Sequence, residues 1–320
     1  MPASTLENET IAVMGATGLQ GGAVVDALLA AGHDASCIRA ITRDPAGAKA
    51  KALVNKGIQV VQGDADDEAS MIKAFANVYG AFLVTNFWAD MSMAHEVAQT
   101  KTLQNAVIAA NVKHVVLSTL EDTRPVINAT TEKDTWPVLE EGSGSYVPHF
   151  DGKGAASKEF LASAAPTTLL YTSFYYDNFI NFGMGPKKYG EDQPASITFP
   201  TSDGAIPMCS VPDIGRRVLS ILKDPETINT KQGVIGASHT GQEVAEIFHK
   251  IIGTPVVFNA VDTAVYAKFG FPGAADLANM FRFFISFKPV HRDIATTRKC
   301  LGGKLDTLEE WVQANKAAFE

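Results

Sequence analysis

The chain is short of what several large function classes require. Its three cysteines, Cys37, Cys209 and Cys300, stand far apart in 320 residues. They make no CxxC pair, so neither a zinc site nor a disulfide framework is expected of them. Basic residues are outnumbered, 27 Lys and Arg against 35 Asp and Glu, for a formal net charge of −8. A surface of that sign lacks the cations that displace counterions from a phosphate backbone, which argues against direct nucleic-acid binding. No apolar run reaches the ~20 residues needed to span a membrane. The opening MPASTLENET is polar and has no apolar signal core. Internal repeats and low-complexity tracts are missing as well. The expected compartment is the cytoplasm, with the nucleus also compatible.

What the chain does have is rhythm. A hydrophobic fraction of 46% over this length suits one large domain, or one domain with a smaller appendage. Short apolar runs recur: Ile11–Met14, Cys37–Thr42, Ile58–Val61, Gly80–Thr85 and His114–Ser118. They are β-branched and apolar almost throughout, as strands covered on both faces are. Helical patterns separate them. Val24, Val25, Leu28 and Leu29 share one face of the first, and Gly32 stands where a C-cap glycine would. Another runs through AHEVAQTKTLQNAVIAA and is closed by Asn111. Strand and helix in alternation predict a doubly wound α/β parallel sheet.

The rhythm loosens after Ser118. Residues 119–150 carry Pro125, Pro137, Gly142, Gly144 and Pro148 and read as a long connection without secondary structure, of the kind that is often functional. A helix around Lys153 and a strand over Thr167–Ser173 follow. Residues 181–232 read as an insertion, then a strand over Gly233–Ser238. Thr240 with Glu243, and Thr307 with Glu310, have the spacing of capping boxes. The expectation is a dinucleotide-binding domain over 1–180, completed by about 210–240, and a smaller interleaved α/β lobe over 181–320.

The sharpest chemical signal is IAVMGATGLQGG. Gly15, Gly18 and Gly21 follow a strand and open a helix. That turn brings backbone close to a pyrophosphate and offers it the unpaired N–H groups and positive end of the helix. The spacing is GxxGxxG rather than the commoner GxGxxG, and the strand–turn–helix context gives it its weight. The second strand ends in ITRDP, with Arg43 lying 22 residues beyond Gly21. An acidic residue there would hold a ribose 2′-OH, whereas a guanidinium favours a 2′-phosphate, so NADP(H) is expected over NAD(H). Asp44 is the competing candidate for the ribose. Asp64 and Ala65, ending the third strand, are placed to flank an adenine; Asp66 and Asp67 read as caps of the next helix. Thr85, Asn86 and Phe87 end the fourth strand and would border the nicotinamide ribose. Phe87 and Trp88 read equally well as packing aromatics.

These motifs, taken in order, resemble the short-chain dehydrogenase/reductase superfamily and its NmrA-like family in particular. GATGLQG, TRDP, GDADD, VTNFW and HFDGKG carry the resemblance through the first half, and FYYDNF and FGFPGAADLANMFRF extend it. The resemblance implies a Rossmann domain with a small C-terminal lobe and bound NADP(H). It places the cofactor contacts on Gly15, Ala16, Thr17, Gly18, Leu19, Gln20 and Gly21, on Arg43, Asp64, Ala65, Asn86, Phe87 and Lys153, and on the segment from Tyr175 to Asn178. The chain departs from the pattern at Ala98, where related sensors carry a lysine that helps hold the cofactor.

Reductases of the superfamily commonly use a Tyr-x-x-x-Lys pair one helical turn apart. Here Lys153 is kept and His149 stands at the tyrosine position. Pro148 before it places His149 just outside the helix, which is expected over KGAASKEFLASAA. Three readings stay open. Lys153 is a cofactor clamp beside a structural His149; or His149 is the general acid, which its ordinary pKa near 6.5 permits; or the acid is elsewhere, at Tyr146, Tyr175 or Tyr176, or is not needed. Ser118 and Thr119 end the fifth strand, where a substrate-orienting hydroxyl is usual.

The resemblance favours a redox sensor that binds NADPH and NADP+ and passes its state to a regulatory protein partner, as a monomer or homodimer. The long 119–150 segment is a candidate moving part, and the FRFF run at 281–284 reads as packing before contact surface. The alternative is an NADPH-dependent reductase of a small carbonyl, imine or enone.

Overall fold

A computed structural model describes residues 6–190, 192–288 and 290–320. Its strands are β1 (Ile11–Met14), β2 (Ile38–Thr42), β3 (Gln59–Gln62), β4 (Gly80–Leu83), β5 (His114–Thr119), β6 (Thr167–Tyr171), β7 (Phe174–Tyr175), β8 (Ala195–Phe199), β9 (Ala205–Cys209), β10 (Lys231–Gly233), β11 (Ala237–Thr240) and β12 (Val256–Ala260). The chain divides into two compact units. The first comprises residues 6–122, 149–172 and 212–233, and the second 123–148, 173–211 and 234–320.

The first unit holds a seven-stranded parallel sheet in the order β10-β6-β5-β4-β1-β2-β3. The sheet is parallel because each strand is followed by a crossover, most of them helical. Strand order reverses at β1 and β4, and the loops beyond their carboxyl ends form the cleft where such sheets bind ligands. Helix Met93–Ala109 and helix Pro148–Leu161 belong to the layers that cover it. Ala12, Leu83, Leu103, Val115 and Phe160 are among the residues of one buried cluster. This is a Rossmann-like α/β fold.

Two glycines let helices of this unit approach backbone closely. A Cβ at Gly215, in helix Val211–Leu222, would lie 2.1 Å from the Ala23 carbonyl oxygen of helix Leu19–Ala30. A Cβ at Gly154 would lie 2.2 Å from the Asp122 amide nitrogen, just beyond β5. Gly154 therefore seats the Lys153 helix against the end of β5.

The second unit contains a three-stranded sheet, β11-β9-β7, and a parallel pair, β12-β8. Its core is aromatic: Phe199 and Phe281 have ring centroids 5.0 Å apart, and Phe179 and Phe248 5.1 Å. Both expected capping boxes are formed, at Thr240 with Glu243 and at Thr307 with Glu310. In FRFF, Phe281, Phe283 and Phe284 are buried, and the Arg282 guanidinium lies 4.1 Å from the Trp136 ring centre. That run is packing.

Three sequence expectations change here. Residues 119–150 are not structureless: they contain helix Thr123–Asn128, a short turn of helix at Lys133–Thr135, and a bridge between Glu140 and Ser145. The Asn279 amide donates to the carbonyls of Pro137 and Tyr146, at 3.1 and 2.7 Å, and ties the segment into the second unit. Prolines and glycines mark this stretch, but its backbone finds local partners that a pattern of periodicity does not show. The strand expected over Gly233–Ser238 is split, because Lys231–Gly233 pairs with β6 whereas Ala237–Thr240 pairs with β9. Lastly, residues 123–148 and 173–180 fall in the second unit rather than the first.

Two measurements test this packing. Gly215→Ala should destabilise the protein by about 1–3 kcal/mol in urea unfolding, since the helices must part to admit the methyl. His114 is fully buried on β5, with Nε2 2.9 Å from the Thr168 hydroxyl, and burial pushes its imidazole down to about 4. Between its ordinary value of 6.5 and that value, the unfolded chain holds a proton that the folded chain does not. Stability should therefore fall as pH drops through this window, by up to about 3 kcal/mol. In His114→Asn the fall should be measurably shallower.

Candidate cofactor site

The glycine turn leaves β1 at Met14. Gly15 has φ +64°, a left-handed conformation that L side chains rarely adopt. The Gly18 amide donates to the Gly15 carbonyl at 2.8 Å, closing the turn. Gly18 is the N-cap of helix Leu19–Ala30, and no side chain caps its first amides. At Gly21 a Cβ would lie 2.4 Å from the Gly15 carbonyl oxygen, so only glycine lets the helix begin against the turn. The result is a cradle of backbone N–H groups at a positive helix end, which fits a pyrophosphate. Ala16 is buried beneath it; Thr17, Leu19 and Gln20 remain accessible.

Arg43 and Asp44, beyond β2, are both exposed. Asp44 Oδ1 accepts from the Ala46 amide at 3.0 Å, and Oδ2 faces Gly47. Its carboxylate is turned into its own loop, which leaves Arg43 as the side chain open to a ribose substituent. Beyond β3, Asp64 Oδ1 accepts from the Asp66 amide at 3.1 Å, and Ala65 is buried. Asp67 caps helix Glu68–Ala74 through the Ser70 amide, as expected. Asp66 does not. Its Oδ1 meets His95 Nε2 at 2.6 Å and Gln99 Nε2 at 3.1 Å. His95 Nδ1 also bonds Asp90, so the imidazole clasps the loops that follow β3 and β4.

Lys153 anchors the other half of the site. Its ammonium donates to the Thr85 carbonyl at 3.0 Å, the Thr85 hydroxyl at 2.9 Å and Glu96 Oε1 at 2.5 Å. The Thr85 hydroxyl in turn donates to Glu96 Oε1 at 2.7 Å. Glu96 is 2% exposed, and its Oε2 is buried with no hydrogen-bond partner among the described residues. Asn86 is exposed beside this network and Phe87 is buried.

His149 lies inside helix Pro148–Leu161, in its first turn, with Pro148 as the leading residue; it is not outside the helix. Proline suits that position because its missing N–H would be unpaired there anyway. The buried imidazole packs against Trp88 at 4.9 Å, Phe150 at 4.7 Å and Phe87 at 6.1 Å between ring centroids. Phe87 and Trp88 are thus a wall of the His149 pocket. The Ser118 hydroxyl donates to Gln20 Oε1 at 2.7 Å, which joins the end of β5 to the first turn of the glycine helix. Thr119 is buried and its hydroxyl is spent on Ser157, at 2.5 Å, and on the Lys153 carbonyl, at 3.3 Å. It holds the helix rather than facing a ligand.

Lys153, Thr85, Asn86, Phe87, His149, Ser118, Gly15 to Gly21, Arg43, Asp64 and Ala65 all belong to the first unit; Tyr175 and Asn178 belong to the second. Tyr175 is half-buried on β7 and Asn178 opens the short helix Asn178–Asn181. Of the other tyrosines weighed as acids, Tyr176 is fully buried, and the Tyr146 hydroxyl donates to Asn128 Oδ1 at 2.7 Å. Sequence reasoning missed Glu96 and His95. Both lie in the first turn of helix Met93–Ala109, where a carboxylate reads as an ordinary favourable end charge. Only the fold shows that Glu96 points inward.

Residues 7–312 match the NmrA-like family, and the chain belongs to it. It is similar to the NmrA-like family domain-containing oxidoreductase notA' of Aspergillus versicolor, 33% identical over 69% of this chain and 62% of that protein. The fold matches the Citrobacter sp. triphenylmethane reductase complexed with NADP(H), with a TM-score of 0.75, 23% identity and coverage of 95% and 99% of the two chains. It also matches NmrA, a negative transcriptional regulator in complex with NAD, with a TM-score of 0.78, 20% identity and coverage of 98% and 97%.

The clasp at His95 makes a titration prediction. Hydrogen bonds that the imidazole donates to the Asp90 carboxylate first, and then to Asp66, raise its pKa above 6.5. The charged clasp should be complete below 6.5 and be lost as pH rises through the raised value. Proton-detected imidazole titration should place the His95 midpoint above 6.5, and Asp90→Asn should lower it more than Asp66→Asn does.

Proposed function

We propose that this protein is an NADPH-dependent reductase of a small electron-poor organic substrate, a carbonyl, imine or enone. The observation that carries this reading beyond cofactor binding is the buried His149 imidazole, one turn before Lys153 on the same helix; the Lys153 ammonium is fixed by Thr85 and Glu96 at the carboxyl end of β4. On this reading Lys153 would hold the nicotinamide ribose by exchanging one of its bonds to Thr85 for a ribose hydroxyl. The glycine cradle would take the pyrophosphate, Arg43 the 2′-phosphate, and Asp64 with Ala65 the adenine edge. Bound NADPH would supply the hydride. The chain supplies orientation, and His149, one turn before Lys153, is the titratable side chain at the tyrosine position. Its aromatic surroundings keep water from it on several sides. Support also comes from the A. versicolor relative, which is named as an oxidoreductase, and from the reductase that shares the fold.

The sensor reading keeps one specific support, the likeness to NmrA, a regulator that shares the same fold. On that reading the same residues bind NADP(H), and occupancy is reported to a protein partner. Absorbance at 340 nm separates the two. Sustained NADPH oxidation with quinones, aldehydes or imines, lost in His149→Ala without loss of NADPH binding, is the reductase outcome. Tight binding with no oxidation across that panel sinks it and leaves the sensor.

The cofactor preference has its own test. Arg43→Ala should weaken NADPH by roughly ten- to a hundredfold, the worth of charge-assisted bonds to one phosphate. NADH should change little. Calorimetric titration of both nucleotides reads the difference, and equal losses would refute the assignment.

A further inference from the structure

Glu96 is a buried charge in the first unit, and only one of its two oxygens is accounted for by the Lys153 anchor. It is 2% exposed and sits opposite a lysine whose side chain is 12% exposed. One oxygen takes two hydrogen bonds, from Lys153 and from Thr85. The other has no hydrogen-bond partner among the described residues and lies 3.1 Å from where a Gly152 Cβ would stand. A half-satisfied buried carboxylate is a costly way to fix a lysine; an amide or a well-packed apolar residue costs less. What an amide does not supply is charge.

We infer that Glu96 sets the charge balance of the nicotinamide end of the site, holding the Lys153 pocket neutral so that the oxidised, positively charged nicotinamide ring is tolerated beside it. This rests on the NADP(H) reading above and goes beyond it in giving Glu96 a role toward one redox form. Lys153 hydrogen-bonds Thr85 at the carboxyl end of β4, by the switch point where a dinucleotide crosses the sheet. The oxidised ring carries one positive charge more than the reduced ring. Beside an uncompensated buried ammonium, that charge is repelled in a medium that screens poorly. Beside a Lys153–Glu96 pair the repulsion is largely cancelled. The Thr85 hydroxyl, accepting from the lysine and donating to the carboxylate, holds the two charges together.

The test compares NADP+ and NADPH affinities by calorimetry in the full chain. Glu96→Gln should weaken NADP+ relative to NADPH by roughly tenfold, equivalent to raising the potential of the bound couple by about 30 mV. Lys153→Met should move the ratio the opposite way, since it leaves the carboxylate unbalanced. Glu96→Asp should return the ratio toward wild type, because charge rather than shape is the cause. Should Glu96→Gln not fold by circular dichroism, the double variant Glu96→Gln/Lys153→Met, which removes both charges, should reverse the shift seen in Lys153→Met alone; an equal shift in the two would overturn the inference. An unchanged ratio, with both affinities falling together, would make Glu96 merely structural and overturn the inference. A wild-type chain that binds neither nucleotide would overturn the cofactor reading, and this inference with it.

Discussion

Two charges that water would solvate well are instead buried against each other at the carboxyl end of β4. Lys153 and Glu96 come from different helices, and Thr85 comes from the strand's exit. Each ion alone would cost several kcal/mol in that setting, so neither helix can move away without stranding a charge. The pair therefore fixes the register of helix Pro148–Leu161 and helix Met93–Ala109 against the sheet. Thr119, through Ser157, and Gly154, through its contact with Asp122, fix the same helix from the β5 side. His149 inherits its position from these constraints, one turn earlier on the same helix face.

The opposite wall of the cleft is set by backbone rather than by charge. Gly15 and Gly21 let the first helix start against the β1 turn, and Gly215 lets another helix lie on that helix further along. Ser118 joins the two walls through Gln20. The cleft is thus tied by backbone contacts and hydrogen bonds on both sides of the switch point, while Arg43 and Asn86 at its rim stay exposed.

The sheet was legible because its evidence is local: apolar runs of strand length, a glycine turn in the right context, and caps at fixed spacing. The glycine cradle, Arg43 and Lys153 could be named from such runs. Glu96 could not, because an inward-facing carboxylate in a helix's first turn looks the same in sequence as an outward-facing one. Asp66 was misread for the same reason: its partner His95 lies 29 residues away. The 119–150 segment was misread because its order combines short local turns that show no periodicity with a tie to Asn279, more than 130 residues from Tyr146. Resemblance supplied Tyr175 and Asn178, which no spacing argument reaches.

The first unit is assembled from three stretches of chain, and β6 and β10 come from the second and third. During synthesis, β5 is an open edge until residues 167–171 emerge, and β6 is one until residues 231–233 do. Both waiting edges are fully buried in the finished protein and therefore sticky while they wait. A nascent or truncated chain ending between them should depend on chaperones far more than the complete one. The finished sheet ends safely: one border is β10, only three residues long, and the other is β3, with a glutamine at each end.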